Sequence, residues 1–120
     1  MGAPHDLGRR GEAIAADMLR RNGWTLLARN FRLGHKEIDV IARRDGVVAF
    51  IEVKTRTGAA YGHPLEAITR AKRAEIEQVA RAWIARHGRP GEVYRFDAIA
   101  ILCRDPAPPA IEHVEDAWRT

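Results

Sequence analysis

The chain of 120 residues contains one cysteine, Cys103, three lysines, and only 3 Trp, 3 Phe and 2 Tyr. A lone thiol forms no intrachain disulfide and has no thiol neighbour for a zinc site, so a reducing compartment is expected. Long hydrophobic runs are missing too. Val47 to Ile51 and Ala98 to Cys103 fall far short of the roughly 20 residues that span a bilayer, and no charged-then-apolar signal pattern opens the chain. A soluble, cytoplasmic protein with no membrane partner is expected. The histidines at 5, 35, 63, 87 and 113 show no metal-ligand spacing, and the chain has neither a Gly-rich phosphate loop nor a Gly-x-Ser-x-Gly elbow.

What is present suits one domain: 46% of positions are apolar, enough to bury a single core without staples. The formal charge is +4, from 20 Lys plus Arg against 16 Asp plus Glu. Residues 1–60 carry 11 basic and 7 acidic side chains and residues 61–120 carry 9 and 9, so an anionic partner is to be sought in the first half. Lys36, Lys54 and Lys72 are the only lysines among these cations.

Asp6 to Asn22 reads as a helix, with Asp6 as N-cap, Gly23 as the left-handed C′ residue, and Leu7, Ile14, Ala15, Met18 and Leu19 as its apolar stripe. Glu12 lies on the flank of that stripe. Strands are expected over Trp24 to Phe31, Glu37 to Arg43 and Val47 to Thr55, and Asp45-Gly46 is a strong hairpin signal. A Gly-rich loop from Thr57 to His63 leads into a helix from Pro64 or Thr69 to His87, and Val93 to Cys103 reads as a fourth strand. Residues 1–104 then form one domain, and 105–120 a Pro-rich link with a C-terminal tail. Three antiparallel strands, a helical crossover and a strand parallel to the third make an α/β fold with a mixed sheet flanked by helices, in the order αβββαβ.

With Asp45 and Gly46 as the two loop residues, facing positions sum to 91, which sets Asp39 opposite Glu52 and Glu37 opposite Lys54. All four then share one face, and Ile38, Val40, Ile51 and Val53 the other. Like charges directly across a sheet destabilise it, and at roughly 5 Å with an effective dielectric near 20 the repulsion is about 3 kcal/mol. A shared proton, a basic neighbour such as Lys54, or a divalent cation can offset it. A carboxylate pair with spare oxygen sites is what Mg²⁺ or Mn²⁺ selects. In the long helix Leu65, Ile68, Ile76, Val79 and Trp83 form the apolar stripe, yet Lys72 falls at its centre, close enough after Glu52 and Lys54 for its ammonium to emerge at the same carboxylates.

Gly8-Arg-Arg-Gly-Glu12, Arg29-Asn-Phe-Arg32, Glu37-Ile-Asp-Val-Ile41, Phe50-Ile-Glu-Val-Lys-Thr-Arg56, Lys72 and Arg95-Phe-Asp-Ala-Ile99 resemble the YraN family of small bacterial proteins. That family is similar in turn to Holliday junction resolvases of the PD-(D/E)xK nuclease superfamily. The resemblance implies a restriction-endonuclease-like core, with Asp39, Glu52 and the backbone carbonyl of Val53 as metal ligands for Mg²⁺ or Mn²⁺. Lys54 would be the active-site lysine, with Glu12 and Lys72 completing the catalytic set. Ile38 stands where the superfamily's name puts proline, and Lys36 replaces a glycine usual before Glu-Ile-Asp.

The function so implied is metal-dependent, resolvase-like cleavage of structured or branched DNA, by a homodimer because a two-fold junction presents two equivalent strands. Arg9, Arg10, Arg29, Arg32, Lys36 and Arg56 are candidate phosphate contacts, although arginine clusters are usually a solvated surface. Asp97 reads as a structural ion-pair partner of Arg95 or a nearby arginine. The alternatives are a catalytically silent nucleic-acid-binding module of the same fold, and a scaffold that meets a protein partner through its Pro-rich tail.

Overall fold

In the computed structural model, which describes residues 4–58 and 64–120, helix α1 spans Pro4–Arg21. It starts two residues before Asp6, which therefore lies in the first turn, where a carboxylate suits the helix dipole. Its C-terminus is a Schellman closure: Trp24 N–H donates to the Leu19 carbonyl and Gly23 N–H to that of Arg20. Gly23 takes φ 86°, the left-handed geometry glycine adopts at least cost.

The strands are β1 Thr25–Leu33, β2 Lys36–Arg44, β3 Val47–Thr57, β4 Val93–Arg104 and β5 Ala107–Trp118. A 3₁₀ turn over Pro64–Ala67 precedes helix α2, Arg70–His87. Thr69 caps α2 by accepting from Lys72 N–H. The Gly-rich loop expected over 57–63 lies, but for its first residues, outside the described residues, as does the Leu65 side chain.

The five strands form one sheet in the order β1-β2-β3-β4-β5. β1, β2 and β3 are antiparallel, β3 and β4 parallel, and β4 and β5 antiparallel. The expected mixed αβββαβ core is therefore present, and residues 107–118, read from the sequence as a tail, extend it by an edge strand. Pro108 and Pro109 are compatible with that position because an edge strand need not donate on its outer side.

Asp45 and Gly46 both have positive φ, 51° and 76°, as a two-residue type I′ turn requires. The pairing follows from it: Arg44↔Val47, Ala42↔Ala49 and Val40↔Ile51. β3 is central, with every residue from Val48 to Val53 buried, which explains its nearly continuous apolar run. Ala15 and Leu19 of α1 pack with Val40, Ala49, Ile51, Val53, Ile99 and Ile101 on one face. Ile76, Val79 and Trp83 of α2 pack with Ile38, Ile41, Phe50 and Ala98 on the other. The single hydrophobic face expected for Ile38, Val40, Ile51 and Val53 is thus corrected: Ile38 belongs to the α2 layer and the other three to the α1 layer. Among the described residues, no helix is long and apolar enough to cross a membrane.

Candidate metal and nuclease site

The site begins with a close approach of backbones. A Cβ on Gly11 would lie 2.8 Å from Thr55 Cβ and Cγ2 and closer still to Oγ1, so only glycine lets α1 press onto β3 there. Gly8, the other glycine of that motif, has open space around it. The residue after Gly11 is Glu12, which the approach delivers to the ends of β1 and β2.

The β2–β3 ladder stops at Val40↔Ile51, one step before the expected Asp39–Glu52 and Glu37–Lys54 pairs. An unbroken ladder would turn the Val53 N–H toward residue 38. Instead it donates to Asp39 Oδ2 at 2.8 Å. The two strands part, and the Asp39 carboxylate fills the gap. Asp39 and Glu52 still meet, sharing a side-chain hydrogen bond, so the expected carboxylate pair forms although the ladder does not carry it.

Burial, then the neighbouring charge of Glu52, pushes the Asp39 carboxyl up to about 8, with Glu12 adding to the same direction and the Val53 N–H opposing it. Glu52 is 4% exposed. Its Oε2 lies 3.4 Å from Lys54 Nζ and 4.0 Å from Lys72 Nζ. The lysine expected to leave the apolar stripe of α2 for the carboxylates does so. Of the three offsets open from sequence, basic neighbours are in place at Lys54 and Lys72, and the upward shift of Asp39 favours a shared proton.

Two further carboxylates flank Asp39. Oxygens of Glu12, Glu37 and Asp39 all lie within 4.8 Å of one another. Asn30 Nδ2 donates to Glu12 Oε1 at 2.9 Å and to Glu37 Oε1 at 3.2 Å, and Arg32 Nη2 is 2.9 Å from Glu37 Oε2. Sequence reasoning passed over Asn30 and the site role of Glu37. The available signal was a turn-forming amide inside a strand pattern, in Arg29-Asn-Phe-Arg32.

The candidate phosphate contacts divide. Arg9 and Arg29 are exposed and have no ion pair among the described residues, and the exposed Arg56 donates to the Thr55 carbonyl. Arg10 makes a two-pronged pair with Asp105, 2.7 and 2.8 Å, which ties α1 to the β4–β5 turn. Arg32 is engaged by Glu37, and Lys36 by Gln78 Oε1.

Asp97, fully buried, is structural. It takes both prongs of Arg95, the His113 ring at 2.8 Å and the Asp116 N–H at 2.9 Å. Burial alone would raise its carboxyl, but His113, Arg95 and that N–H outweigh burial and hold it below the usual range. Glu115 also approaches this group, yet the Arg95 guanidinium bridges Asp97 and Glu115 and occupies the place a cation would need.

Hard oxygen donors of Glu12, Glu37 and Asp39 converge, with Glu52 beside Asp39, and carboxylate oxygens of this kind are the donors that Mg²⁺ or Mn²⁺ selects. A family model described as "Uncharacterised protein family UPF0102" matches residues 11–101. A UPF0102 protein of Leifsonia xyli subsp. xyli is 43% identical over 114 residues, 95% of this chain and 97% of that protein. One from Clavibacter michiganensis subsp. michiganensis is 44% identical over 118 residues, 98% and 99%, and one from Chlorobium phaeobacteroides 43% over 122 residues, 98% and 97%. On this match over nearly the full length, and on the motifs first seen in the sequence, the chain belongs to the uncharacterised family UPF0102, the YraN family.

Proposed function

We propose that the protein is a metal-dependent endonuclease that hydrolyses phosphodiester bonds in structured or branched DNA. The observation that carries this is the pairing of Asp39 with the buried Glu52 where the β2–β3 ladder opens, with Lys54 and Lys72 on the same Glu52 carboxylate. Nothing in the packing of the sheet requires four ionisable groups to converge there, and their desolvation is costly. Asp39, Glu52 and the Val53 carbonyl would hold Mg²⁺ or Mn²⁺, which when bound polarises a phosphate and lowers the pKa of water.

The remaining residues have distinct tasks. Lys54, 3.4 Å from Glu52 Oε2 before any cation is held there, would be a point charge for a phosphate oxygen or a helper in activating water. Lys72 approaches the same carboxylate from α2 and keeps it from standing as an unpaired buried anion beforehand. Glu12 extends the acidic wall next to Asp39. Exposed Arg9, Arg29 and Arg56 supply sequence-independent contact to the DNA backbone, and a homodimer would match a two-fold junction.

The test is a panel of junction, flap, single-stranded and duplex DNAs with Mg²⁺ or Mn²⁺, run with the wild type, Asp39→Ala and Glu52→Ala. The expected result is cleavage of branched substrates by the wild type alone, with DNA binding by the variants equal or tighter because each loses a negative charge. Wild-type-like cleavage by either variant refutes the mechanism. DNA binding that falls steeply with salt but brings no cleavage, together with no calorimetric uptake of Mn²⁺, would identify a silent binding module.

A further inference from the structure

We propose that Asn30 is a positioning residue, whose carboxamide holds Glu12 and Glu37 together beside Asp39. The proposal rests on the nuclease reading for its consequences, but its geometry stands apart from it. Asn30 lies inside β1 with φ 52°, in the left-handed region that L residues other than Asn, Asp and Gly rarely enter. It stands between the Arg29↔Val40 and Phe31↔Ile38 pairs of the β1–β2 ladder, and its Nδ2 lies 2.9 Å from Glu12 and 3.2 Å from Glu37.

The chemistry admits one orientation of the amide. Ionised carboxylates only accept, so the NH₂ end must face them, and its two hydrogens match two carboxylates. Glu12 comes from a helix and Glu37 from a strand, and without a shared donor their like charges would push the two elements' side chains apart. Arg32 holds the far oxygen of Glu37, so Asn30 and Arg32 together fix that side chain and leave Glu12 dependent on Asn30. No other hydrogen bond to Glu12 is present among the described residues.

A backbone-only role makes the opposite forecast, and Asn30→Gly separates the two. Glycine accepts φ 52° at no steric cost and removes the carboxamide. Asn30→Asp keeps the shape but replaces the donor with an acceptor.

The expected result for Asn30→Gly is an unchanged or raised unfolding midpoint, with Mn²⁺ affinity by calorimetry weakened about 10-fold, in the range for lost support around a metal site. On the best DNA substrate kcat should fall with KM little changed. Asn30→Asp should be worse in both. By NMR, the side-chain carboxyl resonances of Glu12 and Glu37 should both move in Asn30→Gly while that of Asp97 stays. Unmoved Glu12 and Glu37 resonances, or wild-type metal affinity and kcat, would overturn the proposal. A wild type that neither cleaves DNA nor binds Mn²⁺ overturns the nuclease reading, and the carboxyl resonances then decide the role of Asn30 alone.

Discussion

Asp39→Asn should make the protein more stable at neutral and alkaline pH, and the gain should depend on pH in a definite way. An asparagine retains an acceptor for the Val53 N–H and gains a donor for Glu52, so the two hydrogen bonds at the gap survive. What disappears is an ionisation. The carboxyl is pushed from 3.8 to about 8, so between those values the native state holds a proton that the unfolded chain has released. Wild-type stability therefore falls as pH rises through the window, and the loss is complete above the folded value. At about 1.4 kcal/mol per pKa unit the full displacement amounts to roughly 6 kcal/mol, and solvent reaching a partly exposed carboxyl reduces it to ~2–3 kcal/mol. Urea unfolding followed by tryptophan fluorescence, in EDTA at pH 4 to 9, measures this directly. The two proteins should nearly coincide at pH 4 and diverge to a plateau above pH 8. A constant offset, or an Asp39→Asn protein less stable at pH 9, would refute the origin assigned to the Asp39 shift.

Gly11→Ala should cost ~2 kcal/mol or more through overpacking against Thr55, with partial recovery when Thr55→Gly is added; Gly8→Ala, with open space around it, should be neutral or stabilising, and urea midpoints check both. Asp97→Ala should cost ~3–5 kcal/mol by leaving Arg95 without its buried partner. Because the folded carboxyl of Asp97 is held low, its contribution is present above the unfolded value near 4 and is lost as pH falls below that, so wild type and variant should converge in acid. Arg9→Ala and Arg29→Ala should each reduce the slope of log affinity for duplex DNA against log salt by about 0.9. Arg10→Ala, whose guanidinium is already engaged by Asp105, should reduce it less.

The sequence made the hairpin and its register legible because both are local: a type I′ turn sits between two short strands, and the pairing follows by counting. The meeting of Asp39, Glu52, Lys54 and Lys72 was legible for the same reason, together with helical periodicity. The split of Ile38 from Val40 was not. It arises where the ladder opens and the Asp39 carboxylate, not a strand carbonyl, accepts from the Val53 N–H, which alternation alone does not encode. β5 was hidden by its prolines, which signal a link unless the strand is known to lie at an edge, a fact only the assembled sheet supplies. Asn30 and the Arg10–Asp105 pair depend on contacts between residues 7 to 95 positions apart, and neither periodicity nor turn chemistry reports those.

The two-residue turn at Asp45 and Gly46 acts as a ruler for a site it does not touch. Asp39 is six residues before it, about 20 Å along an extended strand, and Glu52 is the same count after Gly46. One inserted residue in the turn would slip the pairing by a step and turn one of the two carboxylates to the opposite face of the sheet from the other. Lengthening a surface loop is ordinarily among the mildest changes a domain can receive. Here it would dismantle the carboxylate pair from the far end of the sheet, so tolerance to insertion at this tip is set by the spacing of two acids rather than by anything the tip contacts.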